Sequence, residues 1–168
     1  ATLQSGLFHN NRVGDMEAYC LPTLIEKLGG QAEALDALSR RSGFLGLSGV
    51  SGDLRLVEEA AKAGNARAEL TIAAYADAVV GYIGMYTAFL GGLDALVFTG
   101  GIGLNAAALR ARIAEKLGFV RAALDAALNT PGREGKISAP ESGIEIWSME
   151  TNEELMVARG CARLMDGE

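Results

Sequence analysis

Residues 94 to 106 read Asp-Ala-Leu-Val-Phe-Thr-Gly-Gly-Ile-Gly-Leu-Asn-Ala, an apolar run that feeds a glycine-dense corner with Asn105 at its far side. Leu96, Val97 and Phe98 suit a buried strand. Gly100, Gly101 and Gly103 lack the Cβ atoms that keep a ligand away from the backbone. Asn105 is expected to cap a helix over 106–117, whose free N–H groups and positive dipole end then face the corner. Strand, glycine corner and helix mouth in that order make a place for a nucleotide phosphate. The same corner also serves α/β proteins as a plain tight connection. Its spacing, Gly101-x-Gly103-x-x-Ala106, further fits a dinucleotide fingerprint, with Asp125 near the distance of a ribose-binding acid. That fingerprint needs a second strand soon after the helix, yet 119–128 is rich in Ala and Leu and the next strand pattern is 144–147. The dinucleotide reading is the weaker one.

Outward from the corner, the chain reads as an α/β protein with more helix than strand. Asp15 can cap a helix over 16–28, stopped by Gly29-Gly30, and a short helix is expected over 32–39. Residues 41–52 read as a loop, with glycines and serines around Phe44, Leu45 and Leu47. A helix over 53–63 ends at Gly64, and a long one spans 66–90. On it Tyr75, Tyr82, Tyr86 and Phe89 share a face, an aromatic stripe suited to a core or a subunit interface. Gly81 and Gly84 weaken that helix by roughly 1 kcal/mol each relative to Ala, a cost explained if another backbone packs closely there. Pro131 to Gly135 marks an exposed connection, 144–147 alternates as a strand, and 152–165 forms a closing amphipathic helix. Two strands joined by a helical crossover are expected to be parallel neighbours. Because parallel sheets are covered on both faces and rarely stop at two strands, further strands are expected from elsewhere. The lack of an initiating Met points to a processed, cut or recombinant beginning, and the incomplete sheet makes the chain an expected portion of something larger.

With 168 residues, 49% hydrophobic content and 22 glycines, the sequence supports a sizeable core and argues against disorder. A formal charge of −6 and the lack of any dense Lys/Arg run argue against nucleic acid and anionic membrane as partners, and favour small-molecule chemistry. The most apolar stretch, 66–90, carries Arg67, Glu69 and Asp77 and reads as a soluble helix, with no membrane span or signal peptide in view. Cys20 and Cys161 are far apart, form no C-x-x-C pair and have His9 as the only histidine for company, so both read as reduced cytoplasmic thiols.

With the glycine corner, the loop Ser42-Gly-Phe-Leu-Gly-Leu-Ser-Gly-Val-Ser-Gly-Asp-Leu-Arg55 and the terminal Thr151-Asn-Glu-Glu-Leu155, the chain resembles the acetate kinases and their propionate kinase relatives. The resemblance runs from about Asn11 onward and covers only the C-terminal portion of that family's two-domain protein. It implies part of the C-terminal domain of the actin/Hsp70/sugar kinase fold, helix-rich with a small mostly parallel sheet. It also implies reversible phosphoryl transfer between ATP and a short-chain carboxylate, acetate or propionate, giving ADP and an acyl phosphate. Mg²⁺ and a homodimer belong to the same implication.

Residue by residue, Asn11-Arg-Val-Gly-Asp15 is similar to the family's Thr-Arg-Ser-Gly-Asp segment, which makes Arg12 the transition-state stabiliser. A guanidinium suits that role because it offers a planar fork of donors to phosphoryl or carboxylate oxygens and stays charged. By its own spacing Arg12 also reads as a surface arginine paired with Asp15. Asp53, Leu54 and Arg55 align with a segment that contacts adenosine, although Asp53 alone reads as an acid in a first helical turn. Gly101, Ile102, Gly103, Leu104 and Asn105 align with the family's Gly-Ile-Gly-Glu-Asn nucleotide loop. Leu104 stands where the family usually has Glu, so the backbone contacts survive and any network on that carboxylate does not. Thr151-x-x-Glu154 fits a capping box, which leaves Glu153 free at the second helical position. In the family the matching residue helps hold Mg²⁺, a cation that commonly takes one or two carboxylates beside phosphates. The family's substrate pocket, first phosphate loop and catalytic histidine belong to the N-terminal portion, which this chain lacks, so the chain alone is expected to be inactive.

Overall fold

The computed structural model describes residues 6–166, apart from the side chains of Glu153 and Asp166. It forms two compact units, Ala1–Gly92 and Leu93–Glu168, each with its own core.

The first unit is helical: α1 (Cys20–Leu28), α2 (Gln31–Arg40), α3 (Gly43–Ser48), α4 (Leu54–Lys62) and α5 (Ala66–Leu90). The ends of α5 fall where the sequence puts them. Asn65 caps it by accepting from the N–H groups of Arg67 at 3.0 Å and Ala68 at 3.1 Å, and Gly91 closes it in the left-handed region at φ 73°. Helix α1 begins later than expected, after Tyr19 with no side-chain cap. Asp15 is occupied elsewhere: it accepts from the Gly6 N–H at 2.6 Å and from the Tyr82 hydroxyl. Those bonds, the Tyr82 hydroxyl foremost, hold its carboxyl below the ordinary range. The segment 41–52 is not wholly a loop, because 43–48 winds into α3 and buries Phe44.

Phe44 stands edge-on to Tyr75 at 4.9 Å and to Phe8 at 5.9 Å, with Ile72 and Val57 buried in the same unit. Replacing Phe44 by alanine is expected to destabilise the protein by about 3–5 kcal/mol, read as a lower urea midpoint. The aromatic stripe of α5 therefore divides. Tyr75 is core, whereas Tyr86 is 55% and Phe89 78% exposed. No atom outside the local helix lies within 4 Å of a Cβ built on Gly81 or Gly84, so no described backbone explains those glycines. By length and composition alone α5 could cross a membrane, but its first half carries the core of this unit.

In the second unit β1 (Ala95–Thr99) leads into α6 (Gly100–Asn105) and α7 (Ala107–Glu115), followed by β2 (Gly135–Lys136), β3 (Glu145–Met149) and α8 (Glu153–Asp166). The sheet is three-stranded in the order β1-β3-β2. β1 and β3 are parallel, with Leu96 opposite Ile146 and Phe98 opposite Ser148, as the crossover argument requires. β2 adds an antiparallel edge where the sequence suggested only a connection. Phe98, Ile146 and Ser148 face the core with Leu109, Ile113 and Leu117, while Val97 on the opposite face is 47% exposed. One face of this sheet is thus open among the described residues.

Candidate functional site

The glycine segment is helix from its first residue, not an open turn before one. Gly100 takes φ 70° and α6 follows at once, with Thr99 in extended geometry before it. Asn105 therefore ends α6 instead of capping α7. Its side-chain amide donates back to the Gly101 carbonyl at 3.0 Å, and Ala106, at φ −88° and ψ 69°, separates the two helices. The glycines divide by role. A Cβ on Gly103 would come 3.0 Å from the Phe98 carbonyl carbon, so that glycine lets α6 pack against β1. Gly100 and Gly101 have nothing within 4 Å of such a Cβ, and they face open space.

That space is a cleft of about 570 Å³, within the range of small-molecule sites, lined by Gly100, Gly101, Leu104, Asn105, Glu150, Thr151, Asn152 and Glu154. Its second wall is the entry to α8. Asn152, not Thr151, caps that helix: its side-chain oxygen accepts from the Leu155 N–H at 2.9 Å, which puts Glu153 at the first helical position. Glu154 consequently lines the cleft instead of completing a capping box. The Glu153 side chain lies outside the described residues. Glu150 was not singled out from sequence, and the only signal for it is its place just beyond a strand that runs parallel to β1.

Asp125, the acid of the dinucleotide reading, accepts from the N–H groups of Ala127 at 2.8 Å and Leu128 at 3.3 Å, a local turn.

In the first unit the loop carrying Arg12 is tight. The Arg12 N–H donates to the His9 carbonyl at 2.8 Å, and Arg12 is half-buried. The loop rests on the start of α3, where the N–H groups of Ser42, just before the helix, and Leu45 donate to the carbonyls of Asn11 at 2.9 Å and Asn10 at 3.0 Å. Gly43 makes this approach possible, since a Cβ there would lie 2.5 Å from the His9 carbonyl oxygen. Gly52 does the same under Asn11. The Asn11–Arg12 loop and the segment leading to Asp53 are thereby brought together, a juxtaposition with no local sequence signal.

Asp53 caps α4 by accepting from the Arg55 N–H at 2.9 Å, and it also accepts from the Arg55 guanidinium at 3.1 and 3.2 Å. The Arg55 hydrogen bonds hold the Asp53 carboxyl low, and Asp53 in turn raises Arg55. Arg55 stays 83% exposed while held by Asp53, whereas the Leu54 side chain is buried in the core.

A family model, the acetokinase family, matches residues 2–159. The chain belongs to the acetokinase family. The acetate kinase of Halothermothrix orenii is 43% identical over 163 residues, covering 96% of this chain and 41% of that protein. The crystal structure of Porphyromonas gingivalis acetate kinase superposes with a TM-score of 0.86 at 38% identity, over 96% of this chain and 41% of that one. A Francisella tularensis propionate kinase superposes at 0.83 with 35% identity, over 92% and 40%. The fold is accordingly that of the acetate kinases, of actin/Hsp70/sugar kinase type, and this acetokinase-family chain spans about 41% of the relative's length.

Proposed function

We propose that this chain is the nucleotide-binding portion of a cytoplasmic carboxylate kinase, in which ATP and a short-chain carboxylate are converted reversibly to ADP and an acyl phosphate. The observation that carries the reading is the cleft whose floor is the open glycine pair Gly100-Gly101, in a chain matched over 2–159 by the acetokinase family. The cleft fits a polyphosphate: two glycines without Cβ atoms expose backbone, and the Asn105 amide lines the same wall. It also fits a hard cation beside that phosphate, with carboxylates at Glu150 and Glu154 and a third in sequence at Glu153.

In this reading the backbone of Gly101, Ile102, Gly103, Leu104 and Asn105 holds the phosphates, with Leu104 contributing no carboxylate. Asp53 accepts ribose hydroxyls, and Arg55, with Leu54 fixing its base in the core, lies against the purine. Arg12 offers its fork to the equatorial oxygens of the transferring group. When bound, ATP supplies the phosphoryl group and Mg²⁺ neutralises charge on its oxygens. The exposed Tyr86, Phe89 and Leu90 at the end of α5 favour an additional role in homodimer assembly. The likeness to a propionate kinase keeps propionate beside acetate as acceptor.

Calorimetric titration with MgADP tests the reading. Saturable heat is expected from the chain, and Gly101→Val, which puts a branched side chain into open space, should weaken it at least about tenfold while leaving the fold intact. A chain that gives no saturable heat would be an assembly module only.

A further inference from the structure

The largest fully buried side chain among the described residues is a cation. Arg110, on α7, is 1% exposed, and burial pushes its pKa down from the ordinary arginine value. Every acceptor it meets among the described residues is neutral. Its Nη1 donates to the carbonyls of Gly103 and Leu104, both at 2.7 Å, its Nε to the Asn129 side-chain oxygen at 2.8 Å, and its Nη2 to the Thr130 carbonyl at 2.9 Å. The Asn129 amide is itself oriented by donating to the Ala107 carbonyl at 2.9 Å, and the Gly132 N–H reaches Leu104 at 3.1 Å.

A buried guanidinium without a carboxylate is costly, so it must satisfy something else. What it satisfies is α6. Six residues, half of them glycine, cannot sustain a helix alone, and the carbonyls of a last turn have no partner within the helix. Ile102 is taken by the Ala106 N–H, Gly103 by Arg110, and Leu104 by Arg110 together with the Gly132 N–H. A positive charge at a helix C-terminus is also favoured by the dipole. The first unit repeats the device on the similar hexapeptide Gly-Phe-Leu-Gly-Leu-Ser of α3. There Arg67 donates to Gly46 at 3.1 Å and Leu47 at 2.9 Å, but from an exposed position.

We propose that Arg110 is the positioning residue of the glycine helix: by gripping the carbonyls of Gly103 and Leu104 it fixes the wall of the cleft that Gly100, Gly101 and Asn105 present to a nucleoside diphosphate. The ligand half of this statement rests on the nucleotide reading above, whereas the mechanical half does not. A lysine cannot replace the fork, because an ammonium has no planar set of donors to serve carbonyls on α6 and on 129–130 together.

The test is Arg110→Lys, with Asn129→Ala as a milder variant that leaves the arginine in place, followed by amide hydrogen exchange and MgADP calorimetry. The expected result is a native circular dichroism spectrum, exchange at 102–106 accelerated about tenfold over the change in the β3 amides, and MgADP affinity lowered about tenfold. Arg67→Lys should leave exchange at 102–106 unchanged. Uniform acceleration across the second unit would reduce Arg110 to a general core residue and overturn the proposal. So would unchanged exchange in α6, or faster exchange with unaltered affinity. If the unsubstituted chain gives no MgADP heat, the nucleotide reading falls, and the exchange pattern alone decides whether Arg110 positions α6.

Discussion

Replacing Arg12 by alanine is expected to lower turnover about a thousandfold in the chain joined to the remaining portion of the family's two-domain protein, with the KM for MgATP changed little. The reason is where charge develops. A loose phosphoryl transition state spreads charge over equatorial oxygens, and a fork that meets it there contributes more to the transition state than to the bound substrate. The local structure suits the role, because the Arg12 backbone is locked by its exchange of hydrogen bonds with His9 and seated on Gly43. Arg12→Lys should recover only part of the loss, since a point charge cannot match two oxygens. Initial rates of acyl phosphate formation read the effect. Equal rates for the alanine variant would remove Arg12 from the chemistry and leave it a surface arginine.

The chain by itself is expected to form acyl phosphate at least about a thousandfold more slowly than with that remaining portion supplied. Phosphoryl transfer depends on positioning plus charge stabilisation, and the chain spans 41% of the relative's length. Separating the two functions is informative: the chain should still take up MgADP while failing to turn over acetate or propionate. Substantial turnover by the isolated chain would contradict this division and would require an acceptor pocket within the residues present.

Much of the scaffold could be read from local signals. Asn65 and Gly91 bracket α5 because a side-chain cap and a left-handed glycine act through neighbouring atoms only. The parallel pairing of β1 with β3 followed from a helical crossover between two apolar runs. Signals failed where the deciding partner is distant. Asp15 has the composition of a cap but is claimed by Gly6 and by Tyr82 across 67 residues, so α1 starts without it. Residues 100 to 103, three of them glycine, read as a turn on propensity, yet packing of Gly103 on β1 and the arginine behind it wind them into helix. Thr151 and Asn152 are adjacent and both able to cap, and only the observed bond to Leu155 separates them. The candidate site shows the same division. Asp53 reads as an acid in the first helical turn, one position from its observed place as the cap of α4, whereas the seating of the Arg12 loop on Gly43 and Gly52 depends on contacts far apart in sequence.

Crystals of the chain soaked with ADP and magnesium test the central claim most directly. The expected density is a diphosphate lying against the backbone of residues 100 to 105, with Glu150 and Glu154 on the opposite side of the cleft. A cleft closed by the protein's own side chains, or a nucleotide bound only elsewhere on the chain, would contradict it.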